Sequence, residues 1–226
     1  MSPSARDCLV DNDWVCGEYL RTRADILTAA VVEHIWITAL SVLLGLVLAF
    51  PLALLARRYR RAEGLVVGAT TAIYTIPSLA LFSLLLPATG ISATTVVIGL
   101  TLYSLTILVR NVLEGLRAVP DEVRDAALGM GYARTRLLLA VELPLALPAV
   151  MAGLRVATVS TVALTTVGSI VGYGGLGNLL LSAVDSQFKA QVLTAGLLCV
   201  VLAVAFDLLI VAAQWLMTPW TRGRAA

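Results

Sequence analysis

The side chains that could do chemistry are few in this sequence, and they lie far apart. The single histidine, His34, stands beside Glu33 at the start of a long apolar stretch. Metal sites need several ligands at matching positions, so we predict a packing role for His34 at a membrane edge and no metal site. A Ser/His/Asp catalytic set cannot be assembled around this histidine. We therefore expect no catalytic residue in the chain.

A glycine pattern, Gly172-x-Gly174-x-x-Gly177, matches the dinucleotide-binding fingerprint as a string of letters. In dinucleotide-binding domains that string follows a strand and opens a helix, whereas here it follows a long apolar segment. We interpret it as a flexible, close-packed turn. An ATP-binding phosphate loop needs Gly-Lys-Ser/Thr, and the only lysine, Lys189, follows Phe188. No cofactor is expected in this chain, and energy from ATP would have to come from a partner.

The apolar sequence is interrupted by one polar, arginine-bearing stretch, residues 125–144. Its landmarks are an acid followed by two alanines, two glycines and a closing Leu-Pro pair: Asp125, Ala126, Ala127, Gly129, Gly131, Leu143 and Pro144. Alanine favours helix, glycine can end one in the left-handed conformation, and proline blocks continuation. The stretch therefore predicts a short helix, a break, a second helix and a stop. Small side chains would let a partner approach the backbone closely, but a plain connector is equally compatible with the composition.

The composition is that of a membrane protein. Of 226 residues, 59% are hydrophobic and only 13% are charged, which is unlike an ordinary soluble domain. The apolar blocks are long enough to cross a bilayer, which takes about 20 helical residues. Five spans are predicted, at residues 35–56, 65–86, 94–113, 145–171 and 192–215. We expect an all-α polytopic fold, with a short external or re-entrant helix between residues 172 and 191.

The arginines indicate an orientation for these spans. With five spans, twelve basic residues fall on one side of the membrane and four on the other. Cytoplasmic loops are enriched in lysine and arginine, so the richer side is predicted to be the cytoplasm. A central loop (residues 114–144) and a tail (217–226) are then cytoplasmic. Residues 1–33 form an extracytoplasmic segment, in which residues 18–32 are expected to form a surface helix, and residues 34–216 form the membrane domain of a plasma-membrane protein.

The predicted orientation bears on the cysteines. Cys8 and Cys16 would lie on the outer, oxidising side, where disulfides persist, so we predict a disulfide between them. Two unpaired thiols in a flexible tail are the alternative. Cys199 lies in the fifth predicted span, where a packing role is expected.

The polar stretch also carries a family resemblance. Asp125-Ala126-Ala127, three residues, Gly131, nine residues and Val141-x-Leu143-Pro144 resemble the EAA loop of ABC importer permeases. Asp replaces Glu and Val replaces Ile, and every spacing is kept. From about residue 35 to 215 the chain is most similar to the short permeases for glycine betaine, carnitine, choline and proline. That similarity rests on four segments, residues 76–81, 110–111, 143–148 and 172–177.

The resemblance implies a type I ABC importer permease fold and a set of partners. In that family the EAA loop is a coupling helix that seats in a groove of a cytoplasmic ATPase dimer. The implied coupling residues are Glu122, Asp125, Ala126, Ala127, Gly129 and Gly131. The family also implies a second permease copy or paralogue, an extracytoplasmic solute-binding protein and the lipid bilayer as partners. Nothing points to nucleic acid, and the chain itself is expected to be a transport subunit and not an enzyme.

Two features of the spans bear on the transport path. Pro77 leaves backbone carbonyls of the second span unpaired, which could be a simple kink or a flex point that lines the path with Tyr74 and Ser78. The resemblance favours the path. Asp207 is the one acid well inside a span, and we favour a buried structural bond or a permease–permease contact over a proton relay. Arg155 is expected to extend its side chain to the cytoplasmic face.

We therefore predict the permease subunit of an ATP-driven importer for a small osmoprotectant such as glycine betaine, choline, carnitine or proline. A permease for another small solute, such as an amino acid, is the first alternative. An ion-coupled secondary transporter is a weaker alternative, because such proteins carry internal repeats around a midplane ion site, and no repeat is evident here.

Overall fold

A computed structural model describes residues 8–220 of the chain, and within that range it consists of helices and connecting segments without a strand. The predicted all-α class is confirmed. The parts of the 1–33 and 217–226 segments outside residues 8–220 are not described. The helices are α1 (Gly17–Thr22), α2 (Ala24–Arg58), α3 (Arg60–Thr75), α4 (Ser78–Thr89), α5 (Ala93–Arg117), α6 (Asp121–Gly129), α7 (Arg134–Leu137), α8 (Leu143–Thr165), α9 (Leu176–Asp185) and α10 (Lys189–Met217). A π-helical segment, Leu138–Glu142, precedes α8, and a 3-10 segment, Thr166–Val171, follows it.

The structure has four or five apolar helices of spanning length, where the sequence predicted five spans. Four helical stretches are long and apolar enough to cross a membrane: α2, α5, α10 and the continuous run Arg134–Val171. The bent pair α3 and α4 makes a fifth if it counts as one broken span. The pair breaks at Pro77, whose missing N–H and fixed φ oppose an unbroken helix.

The helix boundaries differ from the prediction at the start of the first span. We expected residues 18–32 to form a separate surface helix. Instead, a break at Arg23 separates the short α1 from α2, and residues 24–32 belong to the same helix as the span. No proline or glycine lies between Ala24 and Ile35, so nothing in the backbone ends the helix there. Helix α2 therefore passes through the predicted domain boundary at residue 34.

The chain divides into two compact units, which we describe separately. Within the described range, the first unit contains residues 8–41, 77–100 and 160–204, and the second contains 42–76, 101–159 and 205–220. A core around Ile37, Phe82 and Leu100 fills the first unit. Two cores, around Leu113 and around Leu108, fill the second.

The N-terminal loop of the first unit, residues 8–16, is held by a disulfide and by two side-chain hydrogen bonds. Cys8 and Cys16 are joined by a disulfide, with their Cα atoms 5.5 Å apart. Asn12, inside this loop, donates to the Gln187 carbonyl at 3.0 Å and accepts from the Lys189 N–H at 2.9 Å. These bonds join the disulfide-closed loop to the segment that opens α10.

Tyr19 packs behind that loop. Its ring meets Phe188 edge to face, with centroids 5.3 Å apart, and its side chain is buried. Burial raises the pKa of the Tyr19 phenol, an effect that the nearby charge of Arg23 partly opposes. The phenol therefore stays neutral across the physiological range, as a packed aromatic anchor should.

The glycine segment of the first unit is a close-packed turn. Gly175 has a φ of +54°, and a Cβ there would lie 2.7 Å from the backbone nitrogen of His34. His34 is fully buried, and its Nε2 is 3.0 Å from the Val162 carbonyl oxygen. The segment therefore packs closely against the backbone of His34, in agreement with the packing interpretation of both.

Candidate coupling site

The polar stretch of the sequence folds as a short helix, a tight turn and a second helix. Helix α6 begins at Asp121, directly after Pro120, and ends at Gly129. Gly131 then has a φ of +84°, a left-handed conformation that only glycine adopts without strain. Helix α7 follows from Arg134. This order matches the predicted helix, break and second helix, all within the second unit.

The predicted stop at Leu143-Pro144 is wrong. Helix α8 begins at Leu143, and its helical geometry runs through Pro144 and Pro148. A proline in a helix removes one N–H and crowds the carbonyl four residues earlier. The π-helical segment Leu138–Glu142 lies directly before Pro144, and its wider i→i+5 spacing relieves that crowding. Because the backbone adapts, the polar stretch continues without a break into α8, one of the long apolar helices.

The predicted coupling residues are divided between an exposed and a buried face. Glu122, Asp125, Ala126, Gly129 and Gly131 are exposed. Ala127 differs, because its side chain is only 2% exposed and faces the interior of the second unit. Ala127 therefore packs inside the second unit, and its part in coupling stays a prediction.

A network of charges anchors α6 to the rest of the second unit. Glu142 is 4% exposed and accepts two bonds from Arg57, at 2.8 and 2.5 Å. Arg124 of α6 donates to the same carboxylate at 2.9 Å. Arg124 also donates to the Leu116 carbonyl at 2.7 Å and to Asp121 at 2.6 Å. One buried carboxylate thus ties α6 to the end of α2.

A surface cavity of about 730 Å³ lies beside this network. Asp125, Leu128 and Arg134 line it together with the charged network. Its walls combine apolar side chains with charges of both signs, which is the composition of a protein-docking rim and not of a closed small-molecule site.

Sequence reasoning missed Glu142, Arg57 and Arg124. A signal was present, because Glu142 is an isolated acid between Val141 and Leu143 at the start of an apolar run. Charged residues at such positions are costly unless they are paired. The partners could not be named without the fold, since Arg57 is 85 residues away in sequence.

The predicted path residues lie around the break between α3 and α4. Tyr74 is exposed in the second unit and packs edge to face on Tyr103, with centroids 5.7 Å apart. The Tyr103 hydroxyl donates to the carbonyl of Ile76, the residue before Pro77. Pro77 is exposed and Ser78 is partly exposed, both in the first unit. Their place in the path stays a prediction.

The family profile described as the binding-protein-dependent transport system inner membrane component matches residues 41–223. The chain belongs to this family. It is therefore a multi-pass membrane protein and the permease subunit of an ABC importer, as predicted. The family works with an ATPase and a solute-binding protein. Within residues 8–220, no group of three or more His, Cys, Asp or Glu side chains is placed to hold a metal ion.

Several characterised permeases resemble this one along most of their length. The osmoprotectant import permease protein OsmW of Salmonella typhimurium is 34% identical over 89% of this chain and 96% of its own. The choline transport system permease protein OpuBB of Bacillus subtilis is 29% identical over 89% and 93%. The glycine betaine/carnitine/choline permease protein OpuCD of the same organism is 34% identical over 80% and 79%.

Solved structures of transporters share the fold of this permease. The inward-facing MetNI methionine ABC transporter has a TM-score of 0.72 at 22% identity, covering 88% of this chain and 97% of that one. An amino acid ABC transporter with histidines has a TM-score of 0.73 at 16% identity, covering 88% and 98%. These similarities confirm the predicted ABC importer permease fold.

Proposed function

We propose that this permease imports a small osmoprotectant such as glycine betaine, choline, carnitine or proline. The observation that supports this most strongly is the 34% identity to an osmoprotectant permease over 96% of that protein's length. Other relatives named for choline and for glycine betaine, carnitine and choline have similar identity. A solute-binding protein outside the membrane delivers the solute, and the spans of two permeases, copies or paralogues, enclose its path.

The coupling step follows from the geometry of α6. Its exposed face presents Glu122 and Asp125 near the helix N-terminus, where negative charge is favoured by the helix dipole. These acids can form ion pairs with arginines or lysines in a groove of the ATPase. When the ATPase dimer closes on ATP, it moves α6, and the Glu142 network transmits that motion to the ends of α2 and α8. This chain has no phosphate loop, so the nucleotide is bound by the ATPase.

A direct test uses the purified importer, reconstituted with its ATPase and binding protein. We expect glycine betaine or choline to stimulate ATP hydrolysis and ATP-driven uptake into vesicles. Stimulation only by an amino acid other than proline would assign a different solute, and uptake driven by an ion gradient without ATP would refute the importer mechanism.

The docking face can be tested by Gly129→Leu. Gly129 is exposed, has an ordinary helical φ and would have open space around a Cβ, so the substitution leaves the permease folded. We expect uptake to fall about tenfold or more, because a bulky side chain at a close-packed docking site costs roughly 1–3 kcal/mol. Uptake and protein level in the membrane are the measurements.

Gly64→Leu is the matched control for Gly129→Leu. Gly64 is also a helical glycine of the second unit with open space around it. It should keep near-normal uptake. Normal uptake by Gly129→Leu would contradict the docking role of α6. The neighbouring Gly131 is a poorer probe, because any larger residue there is also strained by the positive φ.

We also propose that residues 1–33 lie outside and that residues 114–144 and 217–226 lie in the cytoplasm. The arginine distribution supports this orientation, and a disulfide at Cys8 and Cys16 suits an oxidising compartment. In intact cells carrying Cys199→Ala, we expect a thiol-reactive mass tag to modify the permease only after external reduction. Modification of Cys8 or Cys16 without reduction would contradict an external disulfide.

A further inference from the structure

One ion pair lies deep inside the predicted spans of the second unit. Arg155 of α8 donates through Nε to Asp207 Oδ1 at 2.7 Å and through Nη2 to Oδ2 at 2.8 Å. This is the parallel two-bond geometry that gives arginine–carboxylate pairs their strength. Each residue lies ten or more residues from either end of its helix. At 1.5 Å per residue, that is about 15 Å or more from the nearest helix end.

The pair is not enclosed by the chain. The Arg155 side chain is 41% exposed and that of Asp207 is 30% exposed. In contrast, the structural carboxylate of Glu142 is 4% exposed. Charges at this depth do not face lipid, and they occur where a helix bundle encloses them or where water reaches them. The exposed side of this pair therefore indicates a polar environment inside the membrane. The expectation that Arg155 extends to the cytoplasmic face is wrong, because Asp207 holds it at mid-span.

We propose that Arg155 and Asp207 form a solute subsite in the transport path for a small zwitterion that carries a carboxylate and a cationic nitrogen. The Arg155 guanidinium binds the carboxylate of the solute through Nη1, which makes no bond to Asp207. The Asp207 carboxylate faces the cationic nitrogen. This proposal deepens the proposed function and rests on it for the solute class.

The exchange is electrostatically balanced. When the zwitterion enters, Arg155 pairs with the solute carboxylate and Asp207 pairs with the solute cation. No charge in the membrane is then left uncompensated. When the solute leaves, the pair closes and neutralises itself.

The first test compares glycine betaine, which has a carboxylate, with choline, which has none. In the reconstituted importer we expect Arg155→Gln to lower glycine betaine uptake about tenfold more than choline uptake, because choline never used the guanidinium. Arg117→Gln is the control, since Arg117 forms a comparably exposed pair with Glu63 at the end of α5. It should leave the ratio of the two solutes unchanged. An unchanged ratio in Arg155→Gln would overturn the proposal.

A second variant separates solute binding from simple bracing of α8 against α10. The double variant Arg155→Asp with Asp207→Arg keeps an ion pair between these helices but exchanges the positions of the charges. We expect an assembled permease with an altered ratio of glycine betaine to choline uptake. If the exchange restores both uptakes at the wild-type ratio, the pair only holds helices together and the proposal is refuted.

The accessibility of position 155 to a thiol reagent gives a measurement that does not depend on transport. In a Cys199→Ala background, we expect Arg155→Cys to react with a water-soluble, positively charged thiol reagent, and excess glycine betaine to slow that reaction. Absence of reaction would mean that lipid or the second permease covers the site, and would overturn the proposal. If the wild-type importer carries neither solute, the proposed function fails, while this reaction still decides whether the pair faces an aqueous path.

Discussion

Glu142→Leu is expected to release the coupling helix and to abolish most uptake. The substitution leaves Arg57 and Arg124 without their shared carboxylate. Removing one partner of a buried ion pair costs about 3–5 kcal/mol, and we expect about 3 here because the arginines remain 25% and 20% exposed. That energy corresponds to a roughly hundredfold change in the equilibrium constant between anchored and released α6.

The measurements are the thermal unfolding midpoint of the purified permease, solute-stimulated ATP hydrolysis and uptake. Asp121→Asn is the matched control, because Asp121 pairs with the same Arg124 but its side chain is 87% exposed. Exposed pairs contribute little to stability, so this variant should resemble the wild type in all three measurements. If Glu142→Leu transports normally, or if Asp121→Asn is equally damaged, the network does not anchor the coupling helix.

Gly175→Ala is expected to destabilise the first unit by about 2–6 kcal/mol. Gly175 has a φ of +54° with a ψ of −117°, a conformation that L-residues rarely adopt and that costs about 1–3 kcal/mol, and overpacking costs about 1–3 kcal/mol more. The added Cβ would meet the backbone of His34, which belongs to a long helix and cannot move aside cheaply. The amount of folded protein and its unfolding midpoint should both fall.

Gly172→Ala separates the two causes. Gly172 has a φ of +77° in the αL region, and an added Cβ would meet nothing within 4 Å, so this position carries the cost of a positive φ without a clash. We expect a loss of only about 1–2 kcal/mol. Gly196→Ala, in α10 with open space and an ordinary φ, should be neutral or slightly stabilising. Equal losses at Gly175 and Gly172 would show that contact with His34 is unimportant.

Much of the architecture was predictable because bilayer physics acts on local sequence. Every backbone polar group must be satisfied inside the membrane, so apolar blocks of the right length become helices. The break at Pro77 followed from the missing N–H of proline. The tight turn at Gly131 followed from the spacing of small residues in the polar stretch. These features depend only on residues close together in the chain.

The errors in the prediction also have local causes. The Leu143-Pro144 pair was expected to stop a helix, because a proline inside a regular α-helix loses a bond and clashes with the preceding turn. The structure accommodates it through the π-helical segment just before it. Such a segment is stabilised by its surroundings, here by the bonds that Glu142 makes to Arg57 and Arg124. Local propensity alone does not contain that information.

By itself, the sequence determined the helical membrane fold, the long apolar helices and the family, because these depend on hydrophobic length and on fixed spacing within one short stretch. Tertiary structure decided which charges became partners. Arg57 with Glu142 and Arg155 with Asp207 are joined across 85 and 52 residues of chain. It also decided that Ala127 packs inward while Gly129 stays exposed. Side-chain pairing and burial depend on how helices pack against each other, and no local pattern specifies that packing.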